Sequence, residues 1–199
     1  MDQLTHHSDI DFAYECLCWG THNDLWEHSW EIVQRVNRKN FGLCLDTFNI
    51  AGRIYADPTS PSGTTKNAEE DVKMSMRRMV NTVDVNKIFY VEVVDAERLD
   101  EPLLPGHQYY DASQPPRMSW SRNCRLFYGE EDRGAYLPIL PIVKALLEKQ
   151  QGLGFEGWVS FELFNRSMAD PDPGTPHEHA RRAGESWKKL QRDADFFVA

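Results

Sequence analysis

The chain has 199 residues, 41% hydrophobic and 27% charged, which is enough apolar material for one sizeable core in a soluble globular protein. A formal net charge of −9 argues against a protein that tracks nucleic-acid phosphates, so no nucleic-acid partner is expected. No apolar run reaches the roughly 18 residues of a transmembrane helix, and Met1-Asp2-Gln3-Leu4-Thr5-His6-His7 lacks the basic-then-apolar pattern of a signal peptide.

A cytoplasmic location without a membrane partner is therefore expected, with residues 1–199 forming a single domain. Cys16, Cys18, Cys44 and Cys124 form no CxxC pair, and three of them sit in apolar runs. They read as buried free thiols of a cytosolic protein.

Residues 1–10 carry no pattern. Phe12 to Trp19 reads as a buried strand interrupted by one acid, Glu15, and Gly20-Thr21-His22-Asn23 as a loop. Asp24 with Glu27 three residues on predicts a capped helix start, and Trp26, Trp30 and Val33 supply its apolar face. The run Phe41-Gly42-Leu43-Cys44-Leu45, bounded by turn formers and free of charge, reads as a strand buried on both faces, with Asp46 at its end.

A Pro-, Ser- and Gly-rich loop is expected over 55–65. Asn67 and Glu70 then predict a second capped helix, with Val72, Met76, Met79 and Val83 on its inner face. Lys87 to Val94 reads as a third strand with Glu92 embedded, and residues 95–120 as a long loop of the functional or disordered kind. Arg122 to Tyr128 predicts a short fourth strand. A helix over 137–150 with Pro138 in its first turn follows, then a fifth strand over 157–164 carrying Glu162. Thr175-Pro176-His177-Glu178 reads as N-cap, proline at N1 and glutamate at N3 of a final charged helix. Helices between most of the strands imply a parallel sheet with right-handed crossovers.

Glu15, Asp46, Glu92 and Glu162 each lie late in a separate apolar strand. A charge in such a strand is costly unless it is paired or metal-bound. Parallel strands would carry all four acids to one end of the sheet, and a carboxylate cluster there suits Mg2+ or Mn2+. The competing expectation is that some of them pair with Arg53, Arg122 or Arg125.

Five segments together resemble the fungal 3-dehydroshikimate dehydratases. These are Tyr14-Glu15 with Trp19-Gly20-Thr21-His22; Leu43-Cys44-Leu45-Asp46-Thr47-Phe48; Val93-Val94-Asp95-Ala96-Glu97-Arg98-Leu99; Ser119 to Glu130; and Trp158-Val159-Ser160-Phe161-Glu162. That family belongs to the xylose isomerase-like TIM barrels, in the sugar phosphate isomerase/epimerase group.

The resemblance implies an α/β chain forming part of a (β/α)8 barrel, with about five parallel strands (family strands 4 to 8) and outer helices. It also implies metal ligands at Glu15, Asp46, Glu92 and Glu162, and Ser121 with Arg125 as the pair holding a substrate carboxylate. Two positions depart from the family. Glu92 stands where His or Gln is usual, and Asn49 stands where bacterial relatives carry a catalytic His. Asn cannot act as a base near neutral pH, which leaves His22 as the candidate.

A complete barrel has eight strands and typically about 250 residues. The sequence is therefore expected to be a C-terminal portion without strands 1–3, prone to self-association through open sheet edges. The implied activity is a metal-dependent lyase acting on 3-dehydroshikimate in quinate and shikimate catabolism. The alternatives are a sugar or inosose isomerase or epimerase on the same barrel, and a barrel fragment without catalysis.

Overall fold

A computed structural model describes residues 10–195. All but the last residue of the patternless stretch 1–10 lies outside the described residues.

In chain order the elements begin with β1 (Phe12–Tyr14), α1 (Trp26–Val36), β2 (Phe41–Asp46), α2 (Thr47–Ile54), α3 (Ala68–Thr82) and β3 (Ile88–Glu92). There follow β4 (Asp95–Ala96), α4 (Pro116–Cys124), β5 (Arg125–Leu126), α5 (Ile139–Leu147), β6 (Trp158–Ser160) and α6 (Thr175–Ala194). Four strands form one parallel sheet in the order β1-β2-β3-β6.

β2 is central because its composition permits it: every residue from Gly42 to Asp46 is buried, with β1 and β3 paired to its two edges and α1 and α2 packed against it. Gly42 is required where it stands, since a Cβ there would lie 2.4 Å from the Lys87 carbonyl oxygen.

The helices follow their apolar stripes. α1 buries Trp26 and Val33, and the Trp26 indole donates to Ser75 Oγ on α3 at 2.8 Å, tying the two helices together. α3 turns Val72, Met76 and Met79 inward, and α5 packs Ile142, Val143 and Leu146 against α2, α3 and α6. The stripe Arg182, Ser186, Leu190 and Ala194, at intervals of four, is the buried side of α6.

Several expected helix starts differ. Asp24 is committed to an ion pair with Arg53 at 2.7 Å, and the N-cap of α1 is the next residue, Leu25. Asn67 holds the N-cap of α3 without a side-chain hydrogen bond. Pro138 caps α5 from outside, and Gly174 rather than Thr175 is the N-cap of α6. A helix not anticipated, α2, begins directly after β2.

Among the described residues the parallel strands number four, not five. Residues 122–128 do not form a strand of that sheet: α4 runs to Cys124, and the two-residue β5 pairs antiparallel with β4. The reason lies in what anchors α4. Trp120 is buried against the Phe48 ring at 4.8 Å and donates its indole N–H to the Glu97 carbonyl at 2.9 Å. Asn165 then takes the far side of β5, donating to the Arg125 carbonyl at 2.8 Å, and β3 pairs directly with β6.

Among the described residues β1 and β6 are open edges of the parallel sheet, and Trp158 on β6 is 78% exposed. No helix among them is long and apolar enough to cross a membrane. All four cysteines are free and buried.

Candidate metal centre

The register of the sheet sets the site. Asp46 and Glu92 are direct partners in the β2–β3 ladder, and Glu92 is the partner of Ser160 in the β3–β6 ladder. Glu162 lies two residues beyond Ser160, and Glu15 one residue beyond the last paired position of β1. All four acids therefore leave the carboxyl ends of parallel strands. One carboxylate oxygen from each comes to within 4.8 Å of the others.

Asp46 has two tasks. As the last residue of β2 it presents Oδ2 to the cluster, and as the N-cap of α2 it accepts at Oδ1 from the Phe48 N–H at 2.6 Å and the Asn49 N–H at 3.2 Å. Those bonds satisfy orphan donors of the helix and place its carboxylate at the positive end of the dipole.

The cluster's charge is offset by one cation. Arg125 is 1% exposed and directs Nη1 at Asp46 Oδ2 (2.8 Å) and Glu162 Oε2 (2.7 Å), while its Nε donates to Ser121 Oγ at 3.0 Å. Its guanidinium carbon lies 4.3 Å from the centre of the Phe48 ring and 5.2 Å from that of Phe164. Burial acts to lower the Arg125 pKa, but Asp46 and Glu162 outweigh it and hold the group charged.

One cation cannot neutralise four carboxylates. Burial, together with repulsion from Asp46, Glu92 and Glu162, pushes Glu15 up to about 8. Burial and the charges of Asp46 and Glu162 push Glu92 up to about 7. Glu162 is raised as well, by burial, with Arg125 working against the rise.

The residues expected at the site divide into groups. Glu15, Asp46, Glu92 and Glu162 are brought together. Asn49 is fully buried: Nδ2 donates to Glu15 Oε1 (2.7 Å) and Asp46 Oδ2 (3.1 Å), and Oδ1 accepts from the Cys18 N–H (3.0 Å). It is a brace for two of the acids.

Ser121 and Arg125 lie beneath the carboxylates with 1% exposure each, their donors turned to the protein and away from open space. The expectation of acids paired with an arginine holds beside that of a carboxylate cluster: Arg125 is the partner, while Arg53 pairs with Asp24 and Arg122 with Gln114. His22 is exposed on the turn after β1, with no hydrogen bond among the described residues.

Sequence reasoning missed Cys44, whose Sγ forms a second close group with Glu15 and Glu92. The signal was the strand period: Cys44 and Asp46, two apart, share a face of β2. Burial pushes its thiol well above the usual range.

The residues present fit a divalent cation. The donors of the four-residue group are all oxygen, and Glu92 Oε2 is buried without a hydrogen-bond partner. The raised carboxyl groups would be relieved by positive charge placed among them. Against this, Asp46 Oδ2 already accepts from both Arg125 and Asn49, so a cation competes with the guanidinium for that oxygen.

The sequence model of the xylose isomerase-like TIM barrel family matches residues 2–190. A 3-dehydroshikimate dehydratase of Neurospora crassa is 64% identical over 184 residues, covering 92% of this chain and 50% of that protein. A protein of the same name from Pseudomonas aeruginosa is 27% identical over 156 residues, 78% of this chain and 18% of that protein. The chain thus spans about half the length of the Neurospora relative, and less of the bacterial one.

Among solved structures, a xylose isomerase-like TIM barrel/4-hydroxyphenylpyruvate dioxygenase fusion protein matches with TM-score 0.60 at 22% identity, over 92% of this chain and 22% of that one. The IOLI protein, whose crystal structure holds a zinc atom, matches with TM-score 0.58 at 20% identity, over 100% of this chain and 54% of that one. At these identities the likeness is one of fold.

Proposed function

This chain belongs to the xylose isomerase-like TIM barrel family, and on that premise we propose that it supplies the metal-holding end of a 3-dehydroshikimate dehydratase. Such an enzyme is a lyase that converts 3-dehydroshikimate to protocatechuate with loss of one water, in quinate and shikimate catabolism. The observation that carries this reading is the convergence of Glu15, Asp46, Glu92 and Glu162 within a segment 64% identical to a dehydratase of that name. A cytoplasmic location is part of the proposal, supported by the four free thiols.

A cation held by the four carboxylates, Mg2+ or Mn2+ by its all-oxygen donors, would stabilise the negative charge that develops on the substrate ketone oxygen. The rest falls to the chain's own groups. Asn49 fixes Glu15 and Asp46 in place, and its amide takes no proton. His22, exposed on the loop that leaves the active end of β1, is the general base of this proposal: it removes the proton α to the ketone and returns it to the departing hydroxyl, which leaves as water. Arg125, once released from Asp46 and Glu162, would turn its planar donors to the substrate carboxylate, with Ser121 holding Nε.

A chimera tests the proposal directly. Residues 12–192 would replace the matching segment of the Neurospora relative, and protocatechuate formation would be followed with Mg2+ or Mn2+ present. Turnover that disappears on changing Asp46 supports the reading. A folded, metal-loaded chimera that makes no protocatechuate contradicts it.

A further inference from the structure

Cys44 gives the carboxylate centre a donor of a different kind. On the central strand it stands two residues before Asp46, on the same face but farther from the strand's carboxyl end, and it is 8% exposed. Its Sγ and one carboxylate oxygen from each of Glu15 and Glu92 lie within 4.8 Å of one another. Cys16, Cys18 and Cys124 are buried free thiols too, yet among the described residues none of them joins such a group.

The two donor sets overlap without being equivalent. Both draw on Glu15 and Glu92. The all-oxygen set adds Asp46 and Glu162, the two acids that Arg125 already holds at 2.8 and 2.7 Å. A cation placed there must share those oxygens with the guanidinium or displace it. The sulfur-containing set uses neither acid and leaves Arg125 where it is. Its own oxygens are open to a cation: Glu15 accepts from Asn49 Nδ2 at 2.7 Å, and Glu92 Oε2 is buried with no hydrogen-bond partner.

The chemistry differs as well. Hard cations such as Mg2+ take oxygen ligands, whereas thiolate is a soft ligand that zinc accepts together with carboxylate oxygen. Three protein donors leave the fourth position of a tetrahedral ion open to another ligand. A coordinating thiol gives up its proton to solvent as the metal–sulfur bond forms, so the free thiol's burial does not bar it.

We propose that Glu15, Cys44 and Glu92 form a second cation position within the centre, selective for thiophilic divalent ions of the Zn2+ and Cd2+ kind, beside the all-oxygen position. The inference rests on reading this cluster as a metal centre. Because the two positions share ligands, a thiophilic ion competes with the hard one, and Arg125 stays on Asp46 and Glu162 while it is bound.

The test is titration of Cd2+ and, separately, Mn2+ into the full chain after chelator treatment, with its thiols kept reduced. Cd2+ reports a sulfur ligand through a thiolate-to-metal charge-transfer band in the ultraviolet, and free Mn2+ is followed by electron paramagnetic resonance. The unaltered protein should develop the band to saturation at one equivalent of Cd2+, and Cd2+ should release bound Mn2+. Cys44→Ser should abolish the band and weaken Cd2+ by roughly tenfold or more, since even the partners behind metal ligands are worth about 10–100-fold in affinity. Its Mn2+ affinity should stay nearly the same, and circular dichroism checks its fold. Glu162→Gln, which leaves the buried thiol alone, should do the reverse, weakening Mn2+ and keeping the band. No band in the unaltered protein, a band that survives Cys44→Ser, or loss of the band in Glu162→Gln would overturn the proposal. A cadmium band in a protein that takes up no Mn2+ would instead contradict the four-carboxylate reading and support this position.

Discussion

Arg125 Nη1 lies 2.8 Å from Asp46 Oδ2, and both side chains are buried to 1% exposure or less. The same nitrogen reaches Glu162 Oε2 at 2.7 Å, so one guanidinium compensates two of the four acids a cation would also seek. Arg125→Ala therefore removes the counter-charge from a buried carboxylate. The metal-free variant should lose about 3–5 kcal/mol of stability, the range for breaking a buried pair by removing one partner. Divalent cation should restore part of that loss, and tighter metal binding should accompany it. Thermal unfolding with and without Mn2+ measures both, and an unchanged midpoint would show that the pair does not carry charge compensation. In the chimera described above, Arg125→Lys should mainly raise KM, because a bidentate fork becomes a point charge.

Asn49 links Glu15 to Asp46 and also accepts the Cys18 N–H. Asn49→Ala leaves that buried N–H without an acceptor and removes the amide that joins Glu15 to Asp46, while Asp46 keeps Arg125 and the α2 backbone. A loss of about 1–3 kcal/mol is expected from the orphaned group alone. Metal affinity should fall as well, since the ligands are no longer held in register. Chemical denaturation and metal titration on one variant separate the two effects.

Protonation gives the metal-free protein an unusual pH dependence. Glu15 at about 8 and Glu92 and Asp95 at about 7 all stand above their unfolded values, each chiefly through burial. Between the usual carboxyl range and pH 8 the folded state then binds more protons than the unfolded one. The stability contributed by these groups is fully present below about pH 4 and is lost as pH rises through 7 to 8. Without metal, the unfolding midpoint should decline across that window. With a divalent cation the trend should flatten or reverse, because binding needs the deprotonated carboxylates and its affinity grows with pH. A midpoint that rises from pH 5 to 8 in EDTA would contradict the charge crowding described for the cluster.

The four acids were legible in sequence because a charge inside an apolar run is a local anomaly, and parallel strands carry such anomalies to one end. The helix α2 was not, since Thr47-Phe48-Asn49-Ile50-Ala51 continues the apolar run of β2, and an acid after a strand can be a turn residue, a cap or a ligand; here Asp46 is the cap as well as a member of the cluster. The partner of Asp46 could not be chosen from sequence either: Arg53, Arg122 and Arg125 were all candidates, and the one that pairs lies 79 residues away. The same holds for the direct pairing of β3 with β6. It depends on Asn165 and Trp120 capturing β5 and α4, contacts that no periodicity in residues 122–128 encodes.

The open edges of the sheet lead to an expectation about association. β1 and β6 each have one partner in the parallel sheet among the described residues, and Trp158 on β6 presents a largely bare ring. Unpaired strand edges with exposed apolar side chains invite pairing with another chain. Sedimentation velocity of residues 1–199 should show dimers or larger species at micromolar concentration, shifted toward monomer by Trp158→Lys. A monodisperse monomer across the concentration series would contradict this.

The central claim is that Glu15, Asp46, Glu92 and Glu162 hold one divalent cation between them. Metal content after equilibrium dialysis against Mn2+ at about pH 8, where the carboxyl groups of Glu15 and Glu92 are substantially deprotonated, tests it most directly. One ion per chain is expected for the unaltered protein and none for a folded Asp46→Ala variant. Equal metal content in the two proteins would contradict the assignment.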